Sequence, residues 1–302
     1  MGFPAPFVRS SRCAALGNKI TAGYVAPDKV MNTFADEPAD AKRVVRADAA
    51  LPEDGRRLLM IRATAMQRIA RRLARETEAL KWRTPSHVYN PLIYAWPTYR
   101  EYLRRYGTRR GRVLLLGMNS GPWGMAQTGV PFGDVVMVRE WFGIETRLSR
   151  TLPNQHRKYP ILGMTCHRNE GSGSRLWRWA EARLGSPENF FARFFVWNYC
   201  PLLFIGDGHN LTLERLRGRE AEALTAVCDR ALASVIRALA PAAVVGIGRY
   251  AERRAREVLG AGAEVCYLPH PSPASPAANR HWPVLAERAL KPWLPRRRQH
   301  VS

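Results

Sequence analysis

Two carboxamides and one imidazole are the side chains of this sequence whose positions could support chemistry. Asn119, Asn198 and His270 each come just after a short apolar run, where a buried strand would end. An amide offers both a hydrogen-bond donor and an acceptor, which matches the edge of a pyrimidine. An imidazole can stabilise an oxyanion as it develops. If the three side chains meet, they can bind a polarised, neutral heterocycle.

The same loops lack the residues of other common reactions. None of the three loops places a lysine as a Schiff-base amine, and no serine sits in a Gly-x-Ser-x-Gly turn. "GSGSR" at 171–175 lacks the strand and the lysine of a phosphate-binding loop. The five cysteines are scattered, without a Cys-x-x-Cys pair, which argues against a zinc or iron–sulfur site and fits a reducing compartment. We expect no metal and no cofactor.

The loop around Asn119 reads "GMNSGPWGMAQTGVPFG" and runs from Gly117 to Gly133. Its glycines let the backbone approach a ligand closely, and its prolines stiffen the chain around them. Trp123 and Phe132 offer flat faces, and the loop has no charge. These features favour a flat, neutral, polar ligand over a phosphate. Taken alone, the loop could also be a glycine-rich structural turn.

The elements that would position these loops alternate along the chain. Helical patterns lie between the apolar runs, notably over Thr212–Leu239 and Tyr250–Leu259. This order predicts an α/β fold with a parallel sheet covered on both faces by helices. Ligands bind at the carboxyl ends of such strands, so the three loops should converge on one cleft. The predicted strands are Val113–Met118, Phe194–Trp197, Ala242–Ile247 and Val265–Leu268.

Charge points to a polyanionic partner. The chain has 302 residues and a formal net charge of +22, and nearly all its positive residues are arginine. Arginine pairs with phosphates and stacks on bases, so DNA or RNA is the expected partner, with a solvated basic surface as the alternative.

No apolar run is long enough to span a membrane. We expect a monomer in the bacterial cytoplasm, associated with the nucleoid, or in the nucleus of a eukaryote.

The chain divides into one large domain and two terminal segments. Residues 1–54 mix Pro, Gly, Ser and charge without periodicity, which predicts a disordered tail or a wrongly assigned start codon. Residues 55–295 are expected to form a single catalytic domain, and residues 296–302 a basic tail. Within the domain, Arg57–Trp82 has helical periodicity with arginines on its polar face, which is typical of a solvated surface helix.

Three motifs together resemble a known family. "GMNSGPWGMAQTGVPFG", "NYCPLL" and "HPSPASPAANRHW", in this order, are similar to the motifs of single-strand-selective monofunctional uracil-DNA glycosylases. The resemblance covers roughly residues 86–294. It implies a three-layer uracil-DNA glycosylase fold with a four-stranded, mainly parallel sheet flanked by helices. It also implies base-excision repair: hydrolysis of the N-glycosidic bond of uracil, and of oxidised thymines such as 5-hydroxymethyluracil, in single- and double-stranded DNA without lyase activity.

The resemblance also implies roles for individual residues. Asn119 would position the attacking water, and His270 would stabilise the departing uracil anion. Asn198 would recognise the uracil edge, and Phe132 would stack on the base. The pocket would be lined by Met118, Gly121 and Met125, and the DNA would be contacted by a loop that contains Ser272, Pro273, Ala274, Ser275 and Arg280.

Several positions depart from the family pattern. The family usually has Pro at Ser120, Phe at Trp123 and His at Trp197; these positions line or support the pocket, so we expect altered rates and not loss of activity. Ala274 stands where the family carries an arginine that enters the duplex. Weak duplex penetration is therefore expected, with Arg280 compensating in part.

Two other functions fit parts of the pattern. A non-catalytic binder of damaged or single-stranded DNA would use the same arginines and aromatic residues, but binding alone does not require His270 together with Asn119. A glycosylase for xanthine or hypoxanthine would need a wider pocket, and the sequence does not give the pocket width. Because the first motif contains no carboxylate, we expect a dissociative route in which uracil leaves before water adds.

Overall fold

The computed structural model describes residues 64–260, 263–273, 275 and 281–296. It contains two sheets, one of four strands and one of three. In chain order the strands are β1 (His87–Tyr89), β2 (Val113–Gly117), β3 (Phe194–Asn198), β4 (Leu203–Gly206), β5 (His209–Leu211), β6 (Ala243–Ile247) and β7 (Val265–Leu268).

Helices connect the strands of the four-stranded sheet. The α-helices are α1 (Ala65–Glu78), α2 (Pro91–Tyr94), α3 (Trp96–Tyr106), α4 (Met125–Thr128), α5 (Gly171–Leu184), α6 (Pro187–Phe191), α7 (Gly218–Leu239), α8 (Arg249–Leu259) and α9 (Trp282–Leu290). A π-helix spans Met137–Trp141, and short 3-10 turns span Gly163–Thr165, Leu213–Arg215 and Lys291–Trp293.

The four-stranded sheet has the order β3-β2-β6-β7, and each neighbouring pair is parallel. Every residue of β2, β3 and β6 is buried. This explains why these strands appear in the sequence as uninterrupted apolar runs and not as an alternating pattern. The predicted α/β class and the four predicted strands are confirmed, with bounds that differ by one residue at most.

One hydrophobic cluster joins the sheet to the helices around it. The cluster includes buried residues of β2, β3, β6 and β7 and of the long helices α1, α3, α5, α7, α8 and α9. Helix α8 packs on β6 and β7, while α9 packs on β7. The carboxyl ends of the parallel strands are thereby held on a rigid base.

Two helices differ from their predicted bounds by more than one residue. The helix expected over Arg57–Trp82 is Ala65–Glu78 in the structure, and its first predicted residues, 57–63, lie outside the described part. The helix expected from Thr212 onward is interrupted: after a 3-10 turn, α7 begins only at Gly218. Gly218 has a φ of +74°, which breaks the helical path at this point.

The three-stranded sheet was not predicted. It is antiparallel, in the order β1-β4-β5, and its strands are only three or four residues long. Asp207 and Gly208 connect β4 to β5, and both have positive φ, at 51° and 70°. An Asp-Gly pair is a recognised signal of a two-residue hairpin, and the sequence interpretation passed over it.

Some sequence predictions fall on parts of the chain that the structure does not describe. These are the tail over residues 1–54, Ala274, Arg280 and residues 297–302 of the basic tail. Within the described ranges, the helices are too short or too polar to cross a bilayer.

Candidate active site

The three polar side chains singled out in the sequence all lie at the carboxyl end of strands of the four-stranded sheet. Asn198 ends β3, Asn119 follows β2 by two residues, and His270 follows β7 by two residues. Parallel pairing continues past the strands, since the Tyr199 N–H donates to the Gly117 carbonyl at 2.9 Å. The carboxyl ends of β2, β3 and β7 therefore carry the candidate site, as expected for this type of sheet.

The Asn119 side chain is fixed by backbone carbonyls. Its Nδ2 donates to the carbonyl of Ser120 at 3.2 Å and to that of Leu202 at 3.3 Å. Both protons of the amide are therefore used, and only Oδ1 can take a further partner. An atom with this role is an acceptor, suited to hold a water molecule by one of its protons.

His270 is held as a neutral donor. Its Nδ1 accepts a hydrogen bond from the Ser272 N–H at 3.1 Å, so the proton of the neutral ring lies on Nε2. Burial lowers the pKa of His270 to about 4, so the ring is uncharged at neutral pH. The result is a neutral N–H group that can donate to an oxygen on which negative charge develops.

The backbone around His270 is fixed from two sides. Gly248, with a φ of +90°, lies against the ring: a Cβ there would be 3.5 Å from the Cβ of His270. The Trp282 Nε1 donates to the Pro269 carbonyl at 2.8 Å, which ties the start of α9 to the residue before the histidine. The imidazole therefore has a defined orientation before any ligand binds.

Asn198 has unused hydrogen-bonding capacity in a buried position. The residue is only 5% exposed, and its Oδ1 has no hydrogen-bond partner among the described residues. Its Nδ2 lies 3.2 Å from the sulfur of Met125, a weak acceptor. An unpartnered buried polar group costs about 1–3 kcal/mol, so this amide is suited to a ligand that supplies both partners.

Gly117 leaves room for this amide. A Cβ at Gly117 would overlap Oδ1 of Asn198 and would lie 2.7 Å from Cε2 of Phe132. Because Gly117 and Asn198 are paired in register on β2 and β3, the strand pairing itself brings them together. The phenyl ring and the amide therefore meet above a glycine that no other residue can replace without movement.

Phe132 is held in a strained backbone conformation. Its φ is +55°, which is rare for a residue with a side chain and is found mainly where surrounding structure enforces it. Its carbonyl accepts hydrogen bonds from the Trp177 Nε1 and the Asp134 N–H, both at 2.8 Å. The ring is partly buried, and its centroid lies 5.7 Å from that of His270. The predicted stacking residue is thus beside the imidazole.

Glu170 is a residue of this region that the sequence interpretation missed. Its Oε1 accepts the N–H groups of Ser172 and Gly173 at the start of α5, at 3.1 and 3.4 Å. Its Oε2 would be 3.0 Å from a Cβ at Gly121, one of the predicted pocket residues. Burial raises the pKa of this carboxyl. Glu170 therefore joins the loop of Asn119 to α5, and "GSGSR" is the first turn of that helix.

The predicted DNA-contacting loop lies beside α5. Ser272, Pro273 and Ser275 are described, and the Ser275 N–H donates to the Ser272 carbonyl at 2.9 Å. A Cβ at Gly171 would be 3.2 Å from Cγ of Pro273, so this loop rests on the first residue of the helix.

Ser120, Trp123 and Trp197, the three residues that depart from the family pattern at the pocket, each interact with an identified neighbour. The Ser120 hydroxyl donates to the Pro201 carbonyl at 2.5 Å, and the guanidinium of Arg168 lies 4.5 Å from the Trp123 ring centre. Trp197 is buried, with its ring 6.0 Å from that of Tyr99. In the described ranges, no group of three or more His, Cys, Asp or Glu residues is arranged to hold a metal ion.

Comparisons with known proteins identify the family of the chain. The model of the uracil DNA glycosylase superfamily matches residues 104–291. A single-strand selective monofunctional uracil DNA glycosylase from Bos taurus is 46% identical over 207 residues, which are 67% of this chain and 76% of that protein. A protein of the same name from Rattus norvegicus is 44% identical over 225 residues, covering 73% of this chain and 81% of its own length.

A solved structure supports the fold. The crystal structure of wild-type SMUG2 from Pedobacter heparinus superimposes with a TM-score of 0.53 at 18% identity, covering 74% of this chain and 97% of that one. At this identity the similarity concerns the fold alone. With the match to the superfamily model and the identity to the mammalian proteins, the chain belongs to the single-strand selective monofunctional family of the uracil DNA glycosylase superfamily.

Proposed function

We propose that this protein is a monofunctional uracil-DNA glycosylase that hydrolyses the N-glycosidic bond of uracil in single-stranded DNA. The observation that carries the proposal is the buried Asn198 amide with an unpartnered Oδ1, at the same sheet edge as the neutral imidazole of His270. The names of the mammalian relatives point to the same activity.

Recognition of uracil follows from the amide. In the proposed complex, Oδ1 of Asn198 accepts the N3–H of uracil, and its Nδ2 donates to the neighbouring O4. Cytosine carries an acceptor at N3 and an amino donor at position 4. Its N3 would therefore face the acceptor Oδ1, and its amino group would face the donor Nδ2. Phe132 stacks on the ring. The amide therefore selects uracil over the base from which it arises by deamination.

Bond cleavage is proposed to be dissociative. The C1′–N1 bond breaks with its electron pair going to uracil, while the Nε2–H of His270 donates to the uracil oxygen on which charge accumulates. Water held by Oδ1 of Asn119 then adds to the oxocarbenium-like sugar and loses a proton to solvent. The products are free uracil and an abasic strand that is still intact.

The base must leave the stack before it can reach this site. Extrusion costs a few kcal/mol in a duplex and least in a strand that is already single. This difference favours single-stranded DNA as the better substrate. We also propose activity on 5-hydroxymethyluracil and other oxidised thymines, and slower activity on duplex DNA, from the family motifs.

The direct test uses purified protein and a single-stranded oligonucleotide with one uracil. We expect release of uracil, an abasic strand that breaks only on alkaline treatment, full activity in EDTA, and no covalent adduct after borohydride reduction. Matched oligonucleotides with 5-hydroxymethyluracil or hypoxanthine define the substrate range. Binding without release of any base would favour the non-catalytic alternative, and cleavage of hypoxanthine alone would favour the purine one.

A further inference from the structure

A groove between α5 and α9 lies outside the base pocket. It has a volume of about 970 Å³ and is lined by one face of each helix. On α5 the lining residues recur at helical spacing from Gly171 to Arg183, which corresponds to about 18 Å of helix. The groove is thus long enough for about five nucleotides of a stacked strand at 3.4 Å each.

The lining of this groove is strongly basic. Five cations and one carboxylate contribute to it, and the carboxylate, Glu287, is engaged by Arg183 at 2.9 Å. Arg178, Arg288 and Lys291 are exposed, and none of them forms a salt bridge with a described carboxylate. Three cations spaced along one groove suit a chain of phosphates.

The groove begins at the candidate active site. Gly171, which lines one end of the groove, lies near Pro273 of the loop that follows His270: a Cβ on Gly171 would be 3.2 Å from Cγ of Pro273. At the other wall, Trp282 at the start of α9 donates to the carbonyl of Pro269, and Pro283 lines the groove. A strand whose base occupies the pocket therefore has this groove beside its flanking nucleotides.

The groove also offers apolar surface. Val284 is 57% exposed, which is unusual for a large aliphatic side chain, and Pro283 lies next to it. Sugar–phosphate groups of a duplex do not use apolar surface of this kind, because the bases are stacked and paired inside. Unpaired bases have free faces that can pack on it.

We propose that the α5–α9 groove binds the nucleotides that flank the damaged base in single-stranded DNA, with Arg178, Arg288 and Lys291 on the phosphates and Val284 against the bases. This inference rests on the proposed function and deepens it. It assigns single-strand binding to a surface outside the base pocket, so the variants that test it leave the pocket intact.

The test compares substrate lengths. Uracil release is measured under single-turnover conditions, with enzyme in excess over substrate but below its saturating concentration, on single-stranded oligonucleotides of about 5 and about 21 nucleotides. The wild-type protein is compared with Arg178→Ala/Arg288→Ala. We expect the apparent second-order rate constant on the long substrate to fall about tenfold, with the short substrate unchanged. The slope of the logarithm of this rate constant against the logarithm of the salt concentration should become shallower by about 1.4, or about 0.7 for each lost phosphate contact. The rate at saturating enzyme should not change.

Arg110→Ala/Arg237→Ala is the matched control. It removes the same charge from exposed positions just before β2 and at the end of α7, near the amino ends of the parallel strands. A second variant, Val284→Ser, should weaken binding of the long single strand but not of a duplex of equal length. Equal losses on both lengths, or an equal loss in the control, would overturn the proposal. A wild-type protein that releases no uracil would instead contradict the proposed function.

Discussion

His270 must be uncharged in the free enzyme if it is to donate from Nε2 while Nδ1 accepts from Ser272. Its pKa of about 4 means that the folded protein keeps this form well below the pH at which an exposed histidine gains a proton. We therefore predict that the single-turnover rate at saturating enzyme is independent of His270 ionisation between about pH 5 and 8. It should decline only as pH falls toward 4.

The measurement is a pH–rate profile on single-stranded uracil DNA. An inflection near pH 6.5, the ordinary value for histidine, would contradict a His270 imidazole that stays neutral in the folded protein. Protonation of His270 also makes the stability of the fold depend on pH. The unfolded chain gains this proton near pH 6.5 and the folded chain only near pH 4. The contribution of His270 to the free energy of unfolding is therefore fully present above pH 6.5 and is lost as the pH falls from 6.5 to 4.

The proposed catalytic roles of His270 and Asn119 can be tested separately from DNA binding. His270→Leu removes a donor to the developing anion, and such a loss costs roughly 3–4 kcal/mol in related chemistry, or about 10²–10³ in rate. Asn119→Ala removes the acceptor proposed to hold the attacking water and should slow the reaction to a similar extent. DNA affinity should change little in either variant, since neither side chain is a phosphate ligand in the proposed complex.

Rates at saturating enzyme and dissociation constants for single-stranded uracil DNA test this directly. His209→Leu, an exposed histidine on β5, is the matched imidazole deletion and should keep the wild-type rate. If His270→Leu retains a rate close to that of the wild type, its role as anion stabiliser is wrong. The same outcome for Asn119→Ala would remove the water-positioning role.

At the scale of elements, the register of β2 and β3 determines the pocket. Gly117 lies opposite Asn198, and a Cβ there would overlap the amide oxygen and press on Phe132. We predict that Gly117→Ala lowers the rate on single-stranded uracil DNA by more than about 10², because the Asn198 amide and the Phe132 ring, proposed to recognise and stack on the base, must both move. The fold should persist, since the mutation adds one methyl group at the end of a buried strand.

Gly206→Ala is the control for this change. Gly206 is also a strand glycine, but a Cβ there would meet the flexible end of the Leu211 side chain, which can move. Both variants are compared by thermal unfolding and by single-turnover rate. A Gly117→Ala protein with normal activity, or with the same loss as Gly206→Ala, would show that this close contact does not define the pocket.

The sequence predicts the elements best where burial is complete. The strands β2, β3 and β6 are apolar at almost every position, and their bounds were predicted to within one residue. The hairpin of β4 and β5 was missed because strands of three or four residues are too short to show periodicity. Its one local signal is the turn at Asp207 and Gly208.

The residues of the candidate site were also predictable only where the sequence shows the element that carries them. Asn119, Asn198 and His270 could be found because each follows a recognisable strand, and topology brings strand ends together. The sequence does not predict the proximity of Glu170 to Gly121 or the strained φ of Phe132, because both depend on packing between distant segments. Glu170 caps α5 with its side chain, but glutamate is not one of the usual N-cap residues, so the sequence carries no clear signal of this role.

At the scale of the whole molecule, a net charge of +22 attracts polyanions without regard to sequence, so specificity must come from the site and its surroundings. Single strands need only a surface that holds phosphates and unpaired bases. A duplex also requires a residue that fills the gap left by the extruded base. The resemblance to the family implies this task for the loop of Ala274 and Arg280, two residues that lie outside the described part of the structure.

We predict that Ala274→Arg raises uracil release from a U:A duplex about fivefold and barely changes release from single strands. The alanine is too short to fill the gap and carries no charge for a phosphate, so the longer cation should recover about 1 kcal/mol of the extrusion cost. Arg280→Ala should lower the duplex rate more than the single-strand rate. Single-turnover rates on matched oligonucleotides at fixed salt are the measurement, with Ala79→Arg, an exposed position after α1, as the charge control. Equal changes on both substrates would mean that this loop contacts the backbone generally and does not enter the duplex.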